Sequence, residues 1–215
     1  MSEAVGACRA CEGRCCTAYT VPLTGDDVWR IVQGQRLAPI AFVQRDPEST
    51  PTTTGFLLRP GGATYGIALR HQPGRRNEWP CIFLMHLRDG VQRCGIYAHR
   101  PLACQTYPMR LQPTGVAPRD DMLCPPGSWA GIAQHPGAWH ERLLQQDRQW
   151  QRYAVVVQAW NTAVRRCPPS GGFVLDQYLA YLVAAYDTLN PPDDQPADPA
   201  HDSLDALAEA WCRSR

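Results

Sequence analysis

The chain has 215 residues, of which 44% are hydrophobic, so it can bury the core of one large domain or of one domain with an appendage. Its 21 basic and 20 acidic residues leave a net charge of +1, which excludes a polyanion-binding face spread over the whole surface. All the basic residues are arginine, which excludes Schiff-base lysine chemistry and a P-loop lysine.

No stretch approaches the roughly 18 to 20 apolar residues that span a bilayer, and the N-terminus lacks the apolar core of a signal peptide. We therefore expect a cytoplasmic protein with no membrane partner. In that reducing compartment the ten cysteines are better explained by metal binding than by disulfides. The balanced charge predicts no nucleic-acid partner, and it leaves an unknown protein partner or substrate open.

The first predicted helix covers residues 25–35, because Thr24 and Asp27 have the spacing of a capping box ahead of an apolar face. A short helix is expected around Pro39 to Val43, where the proline is tolerated near the helix start. Residues 46–54 are predicted to form a loop.

Two short strands are expected at residues 55–59 and 64–70, which carry β-prone or alternating residues. Asp89 and Gly90 lie between two apolar runs, and Asp-Gly in that setting predicts a hairpin turn.

Residues 137–190 are expected to be helical. One apolar stripe repeats every seven residues, at Leu143, Trp150, Val157 and Val164. A second helix is predicted over 173–189, and Asp202 is expected to cap a last short helix after a solvated linker.

These elements together predict an α+β fold in three parts. A small cysteine-rich metal-binding domain with short strands and loops covers residues 1–128. A helical extension covers residues 129–190, and a linker with a short C-terminal helix covers residues 191–215.

The densest feature is the stretch CRACEGRCC, in which four of nine residues are cysteine. Cys8 and Cys11 have the Cys-x2-Cys spacing favoured by zinc and iron–sulfur sites, and Cys15 follows. Gly13 allows the backbone to curl around a metal. Because neighbouring side chains usually diverge, one of Cys15 and Cys16 could face a second metal or support the ligands.

Four further cysteines follow downstream, at Cys81, Cys94, Cys104 and Cys124. Eight thiols could fill two four-ligand sites, or one cluster with spares. A structural zinc site, disulfides and inert buried cysteines are the alternatives, and thiolate softness also suits iron, as a cluster or otherwise. A histidine near the cysteines, His86 or His99, could complete an open site.

The motifs around the cysteines resemble the YkgJ-type cysteine-cluster family, described as a zinc- or iron-chelating domain. The similar stretch runs from about Cys8 to Cys124 and contains CRACEGRCC, CIFL, CGIY and RPLACQTYP in that order. The resemblance implies metal ligation by eight cysteines: Cys8, Cys11, Cys15, Cys16, Cys81, Cys94, Cys104 and Cys124. It implies zinc or iron and leaves the metal of each cysteine open. Thiolate softness and the number of thiols favour an iron–sulfur cluster or iron, with zinc as the alternative.

The cysteine cluster is also similar to that of flagellin lysine N-methylase, which implies an iron–sulfur cluster used with S-adenosylmethionine. No Gly-rich nucleotide-binding signature accompanies it here. Three hypotheses follow: an iron–sulfur or iron protein with redox or cofactor-assisted chemistry, a zinc-stabilised interaction module without enzymatic activity, and a methyltransferase.

Other residues are assigned smaller roles. Arg100 can donate hydrogen bonds that offset the negative charge of metal-bound thiolates. Cys167 and Cys212 lie outside the similar stretch and are expected not to be ligands. The sequence identifies no catalytic residue.

Overall fold

The computed structural model describes residues 13–50, 52–74, 78–87, 92–124, 129, 136–166, 171–190 and 201–213. The helices in these ranges are α1 (Arg14–Ala18), α2 (Gly25–Gln35), α3 (Pro39–Phe42), α4 (Leu102–Thr106), α5 (Pro136–Arg166), α6 (Leu175–Leu189) and α7 (His201–Arg213), with a 3-10 turn at Tyr97–His99. The strands there are β1 (Val43–Pro47), β2 (Phe56–Leu57), β3 (Thr64–Leu69), β4 (Leu84–His86), β5 (Gln92–Cys94), β6 (Met109–Gln112) and β7 (Gly115–Pro118). The predicted α+β class is confirmed.

Helix α2 begins where the sequence predicts. The Thr24 hydroxyl accepts the backbone N–H of Asp27, and the Asp27 carboxylate accepts the backbone N–H of Thr24. Both side chains are buried, and Arg30 pairs with Asp27 at 2.7 Å. The predicted capping box is therefore confirmed, and it satisfies backbone donors at the helix start that have no partner within the helix.

The strands form three small antiparallel groupings in the described residues: a sheet of order β1-β3-β2 and the pairs β4-β5 and β6-β7. Strands β2 and β3 confirm the two predicted strands, with β2 shorter than expected. Strand β1 extends into the predicted 46–54 loop. The loop prediction was therefore wrong for residues 46 and 47, which belong to the strand. The predicted turn at Asp89 and Gly90 lies outside the described residues, although β4 and β5 on either side of it do pair antiparallel.

The chain divides into two compact units, each made from two segments. The first comprises residues 1–21 and 69–147, and the second comprises residues 22–68 and 148–215. The predicted domains are single continuous segments with boundaries at residues 128 and 190. That division stays a prediction.

The first unit has an apolar core that joins the start of α5 to the β6–β7 hairpin. Met109, Trp139 and Leu143 are buried against one another, with Trp129 packed on them. The Trp129 and Trp139 rings meet edge to face at 5.7 Å between centroids. The β6–β7 hairpin was not predicted from sequence, and its side chains supply one wall of this core.

The second unit is built on aromatic residues of α5 and α6. Trp160 and Tyr178 are fully buried, and Phe56 of β2 stacks on Tyr178 at 3.9 Å between centroids. The Trp160 indole N–H donates to the Leu57 carbonyl at 2.7 Å, which ties α5 to the sheet. The predicted stripe on α5 is buried at Val157 and Val164 in this unit and at Leu143 in the first.

The predicted C-terminal helix is present as α7, His201–Arg213. The predicted cap at Asp202 falls on a side chain outside the described part of the structure and stays a prediction. Leu204 and Ala208 of its predicted apolar face are buried. Among the described helices, none combines the length and apolar character that crossing a membrane requires.

Candidate metal centre

Helix α1 carries two of the predicted ligands and begins at a glycine turn. Gly13 has φ of 69°, a left-handed conformation, and its carbonyl accepts the backbone N–H of Cys16 at 2.9 Å. The Sγ atoms of Cys15 and Cys16 lie 4.0 Å apart. The expected divergence of these neighbouring side chains is therefore wrong, because the one-turn helix brings both sulfurs to the same cavity.

Cys81 is held directly against this helix by the backbone. Its N–H donates to the Cys16 carbonyl at 2.7 Å. Cys81 also forms an isolated antiparallel β-bridge with His71. The next residue, Ile82, donates to the Arg70 carbonyl at 2.9 Å. Cys81 is thus fixed between α1 and the segment that follows β3.

The β4–β5 hairpin brings Cys94 close to Cys81. Leu84 donates its N–H to the Cys81 carbonyl at 2.9 Å, and it pairs directly opposite Cys94 in the hairpin. Residues directly opposite in a ladder project from the same face, and so does Gln92, two residues before Cys94. That face packs on Gly13: a Cβ at position 13 would lie 3.0 Å from Leu84 Cδ1 and would collide with Gln92 Oε1.

Cys104 and Cys124 are connected to each other through Tyr107. Cys104 lies on α4, whose C-terminal cap is Tyr107. The Tyr107 hydroxyl accepts the backbone N–H of Leu123 at 2.7 Å, next to Cys124. Burial raises the pKa of Tyr107, and the Tyr19 ring packs 5.5 Å away from it.

A cavity of about 90 Å³ in the first unit collects these side chains. Six predicted ligands line it: Cys15, Cys16, Cys81, Cys94, Cys104 and Cys124. Much of the remaining wall is apolar, and Arg100 also contributes, with its guanidinium 4.3 Å from the Tyr97 ring centroid. Cys8 and Cys11 lie outside the described residues.

Two thiols of this wall, those of Cys15 and Cys81, are held in their protonated form near neutral pH. A hydrogen bond with Cys16, followed by burial, raises the pKa of Cys15 far above its ordinary value. Burial, with smaller contributions from the charges of Cys94 and Cys15, raises the pKa of Cys81 to about 11. A metal that binds these sulfurs must therefore displace protons.

The donor set fits a soft metal ion. Thiolates are strong ligands for zinc and iron, and the cavity brings six thiols together. Trp129 belongs to the same wall, and its indole N–H is buried without a hydrogen-bond partner. An indole N–H is a donor only, which suits surroundings that become negatively charged when thiols ionise.

Several predicted features lie elsewhere. In the described part of the chain, neither His86 nor His99 lines the cavity. Cys212 is buried in the second unit, and Cys167 lies outside the described residues. Among those same residues, no three His, Cys, Asp or Glu side chains already stand together as a ligating group.

Sequence reasoning did not single out Gln92 or Trp129, although both belong to the cavity wall. Gln92 precedes Cys94 by two residues in a strand, a spacing that puts both side chains on one face. That spacing was the available signal for Gln92. Trp129 offers no comparable local pattern.

The comparisons with known proteins agree with this site. A family model described as "CxxCxxCC: Putative zinc- or iron-chelating domain" matches residues 7–125, which is more than half of the chain. The chain belongs to this family, a family of metal-binding domains, and the matched stretch includes all eight predicted ligands. No curated protein and no solved structure matches the chain.

Proposed function

We propose that this protein holds iron or zinc through cysteine thiolates on the wall of the cavity in its first unit. One observation carries the proposal: six of the eight predicted ligands, drawn from distant parts of the sequence, line one cavity. Buried inert cysteines would not need to converge in this way. The eight cysteines are proposed as ligands on this ground, with Cys8 and Cys11 included on the sequence resemblance alone.

The distance between the sulfurs of Cys15 and Cys16 favours the binding of both to the same single ion, and eight thiols are enough for two such four-ligand sites. Metal–sulfur bonds of about 2.3 Å in a tetrahedron put neighbouring sulfurs about 3.8 Å apart. The sulfurs of Cys15 and Cys16 are 4.0 Å apart. In a four-iron cluster each cysteine binds a different iron, and ligand sulfurs then lie farther from one another.

An iron–sulfur cluster is the second candidate. Its support is the number of thiols, because the six in the cavity exceed the four that one tetrahedral ion takes. Redox or cofactor-assisted chemistry, methyl transfer and a zinc-stabilised interaction module are finer hypotheses, and they stay predictions. The same holds for cytoplasmic location and for the identity of any protein partner.

Metal should also contribute folding free energy. Apart from the start of α5, the described elements of the first unit are short strands, one-turn helices and loops. Elements this short bury little surface individually, so cross-links through a metal would stabilise their arrangement. Removing the metal with a chelator should then lower the melting temperature of the purified chain.

The decisive experiment is anaerobic purification followed by metal analysis, acid-labile sulfide determination and visible absorption spectroscopy. Zinc or iron without sulfide would support the single-ion centre, whereas iron with matching sulfide would support the cluster. A chain that retains no metal and cannot be loaded with zinc or iron would overturn the proposal. Cys81→Ser should lose bound metal, and the matched control Cys212→Ser should retain it.

A further inference from the structure

A second cavity, of about 250 Å³, lies within the second unit next to the turn between β2 and β3. Its described wall includes Arg45 of β1, Arg59 of that turn, Tyr65 of β3 and the segment 171–173 that precedes α6. We propose that this cavity binds the phosphate group of a small phosphorylated molecule through the two arginines. The proposal concerns a site without cysteines and does not depend on bound metal.

The first arginine is held in place by an aromatic ring. The Arg45 guanidinium carbon lies 5.1 Å from the centroid of the Tyr65 ring, which is within the range of a cation–π contact. Strands β1 and β3 are hydrogen-bonded neighbours, so the sheet itself brings the two residues together. Asp46 follows Arg45 in the strand and therefore projects from the opposite face. The ring orients the guanidinium and does not neutralise its charge.

The second arginine is positioned by a tight turn. The Gly62 N–H donates to the Arg59 carbonyl at 3.1 Å, and Gly61 has φ of 65° after Pro60, as is typical of a type II turn. A Cβ at position 62 would lie 2.7 Å from Arg59 Cγ and 3.2 Å from its Nε. The Arg59 side chain is thus folded over Gly62, which fixes its direction without a charged partner.

The positive charge of this wall is not compensated. The described lining residues include no Asp or Glu, and among the described residues neither the Arg45 nor the Arg59 guanidinium forms an ion pair. In the same unit, the exposed Arg166 and Arg213 both pair with Glu209, at 2.8 and 2.7 Å. Two unpaired guanidinium groups on one concave wall attract an anion from solvent.

The segment 171–173 forms a wall with little side-chain bulk. The Phe173 N–H donates to the Leu58 carbonyl at 2.6 Å, which holds the segment against the end of β2. Gly172 has φ of 73°, and a Cβ there would lie 3.0 Å from the Leu58 carbonyl oxygen. No described atom lies within 4 Å of a Cβ placed on Gly171. The two glycines therefore keep the cavity open and allow a ligand to approach the backbone closely.

The charge and the size of the cavity favour a small phosphate monoester. The guanidinium fork matches the oxygens of both carboxylate and phosphate. A phosphate monoester carries a charge of about −1.5 to −2 near neutral pH, which balances two arginines, whereas a carboxylate carries only one negative charge. The volume of about 250 Å³ lies just below the range of roughly 300–1,000 Å³ that is usual for small-molecule sites. It suits a phosphate group with a small organic part.

The test is calorimetric titration of the full-length chain with inorganic phosphate, glycerol 3-phosphate and acetate at constant pH and ionic strength, because salt screens exposed charges. Both phosphates should bind saturably, and acetate should not. Arg45→Gln and Arg59→Gln should each weaken phosphate binding about tenfold, since each removes charge-assisted hydrogen bonds. The matched control Arg36→Gln removes the same charge from an exposed residue outside the described wall, and affinity should stay within about twofold.

Absence of saturable binding of both phosphates, or an equal loss of affinity in Arg36→Gln, would overturn the proposal. A phosphoserine pentapeptide that binds tenfold more tightly than glycerol 3-phosphate would overturn the assignment to a small molecule. Chemical modification of the wild-type arginines by phenylglyoxal, read by mass spectrometry, keeps the test decisive if a variant folds poorly. Inorganic phosphate should slow modification of Arg45 and Arg59 and leave that of Arg36 unchanged, and equal rates with and without phosphate would count against the site.

Discussion

The backbone N–H of Cys81 donates to the Cys16 carbonyl at 2.7 Å, which joins the CRACEGRCC stretch to a cysteine far along the chain. The contact places Cys81 against the helix that carries Cys15 and Cys16, and it does so without any metal bond. A site that is partly assembled by backbone hydrogen bonds loses less conformational entropy when metal binds. Helix α1 ends at Ala18, so the Cys16 carbonyl has no N–H four residues on within the helix and can accept that of Cys81.

Gly13→Ala should lower both stability and metal content. A left-handed conformation costs a non-glycine residue about 1–2 kcal/mol, and the new Cβ would also collide with Gln92 Oε1 and press on Leu84. We expect a lower melting temperature and a lower metal-to-protein ratio, measured on the purified variant.

Gly61→Ala is the matched control, because Gly61 has φ of 65° and nothing within 4 Å of its Cβ position. Gly61→Ala should lower the melting temperature only through the strain of the left-handed backbone, and its metal-to-protein ratio should not change. Equal metal loss in the two variants would show that contact with the hairpin is not what position 13 requires.

Tyr107→Phe should loosen the segment around Cys124. The change removes the oxygen that accepts the Leu123 N–H and costs about 1–3 kcal/mol if that N–H stays buried. The expected readout is faster alkylation of Cys124 with unchanged alkylation of Cys94. The control Thr188→Ala removes an exposed hydroxyl in the second unit, and it should leave both rates unchanged.

Thr24→Ala should destabilise the second unit by about 1–2 kcal/mol, because the Asp27 N–H loses its capping partner. Metal content should not change, since Thr24 belongs to the unit that does not contain the cavity. Urea unfolding and metal analysis measure the two quantities. Thr188→Ala is the control, as its exposed hydroxyl only bonds its own helix, and a loss as large as that of Thr24→Ala would argue against the capping explanation.

The buried pair Tyr153 and Tyr178 should make the chain lose stability at alkaline pH. Their hydroxyls lie 2.9 Å apart, and burial raises the pKa of both above the ordinary value near 10. A raised pKa in the folded state means that the stability is fully present below about pH 10 and is lost as pH rises above it. Thermal melting between pH 8 and pH 11 measures this slope.

Tyr178→Phe should reduce that slope, although it costs about 1–3 kcal/mol at neutral pH by leaving the Tyr153 hydroxyl without its partner. Phe56→Leu is the comparison, because it removes the ring that stacks on Tyr178 and ionises nothing. It should lower stability equally at every pH. An unchanged slope in Tyr178→Phe would contradict the assignment to this pair.

Features that depend on neighbours along the chain were predictable from the order of residues. The capping box of α2, the apolar stripe of α5 and the strands β2 and β3 follow from local spacing of polar and apolar residues, and each is present. The cysteine motifs were also sufficient to identify the family, because their order and spacing are specific.

Which cysteines meet depends on the folded chain. Neither the convergence of Cys15 with Cys16 nor the contact of Cys16 with Cys81 can be read from spacing, because each depends on backbone geometry and on pairing between distant segments. The same is true of Gln92, which faces Gly13 only because the β4–β5 hairpin packs there. Periodicity predicts the face of an element, whereas the partner of that face is selected by the packing of the whole unit.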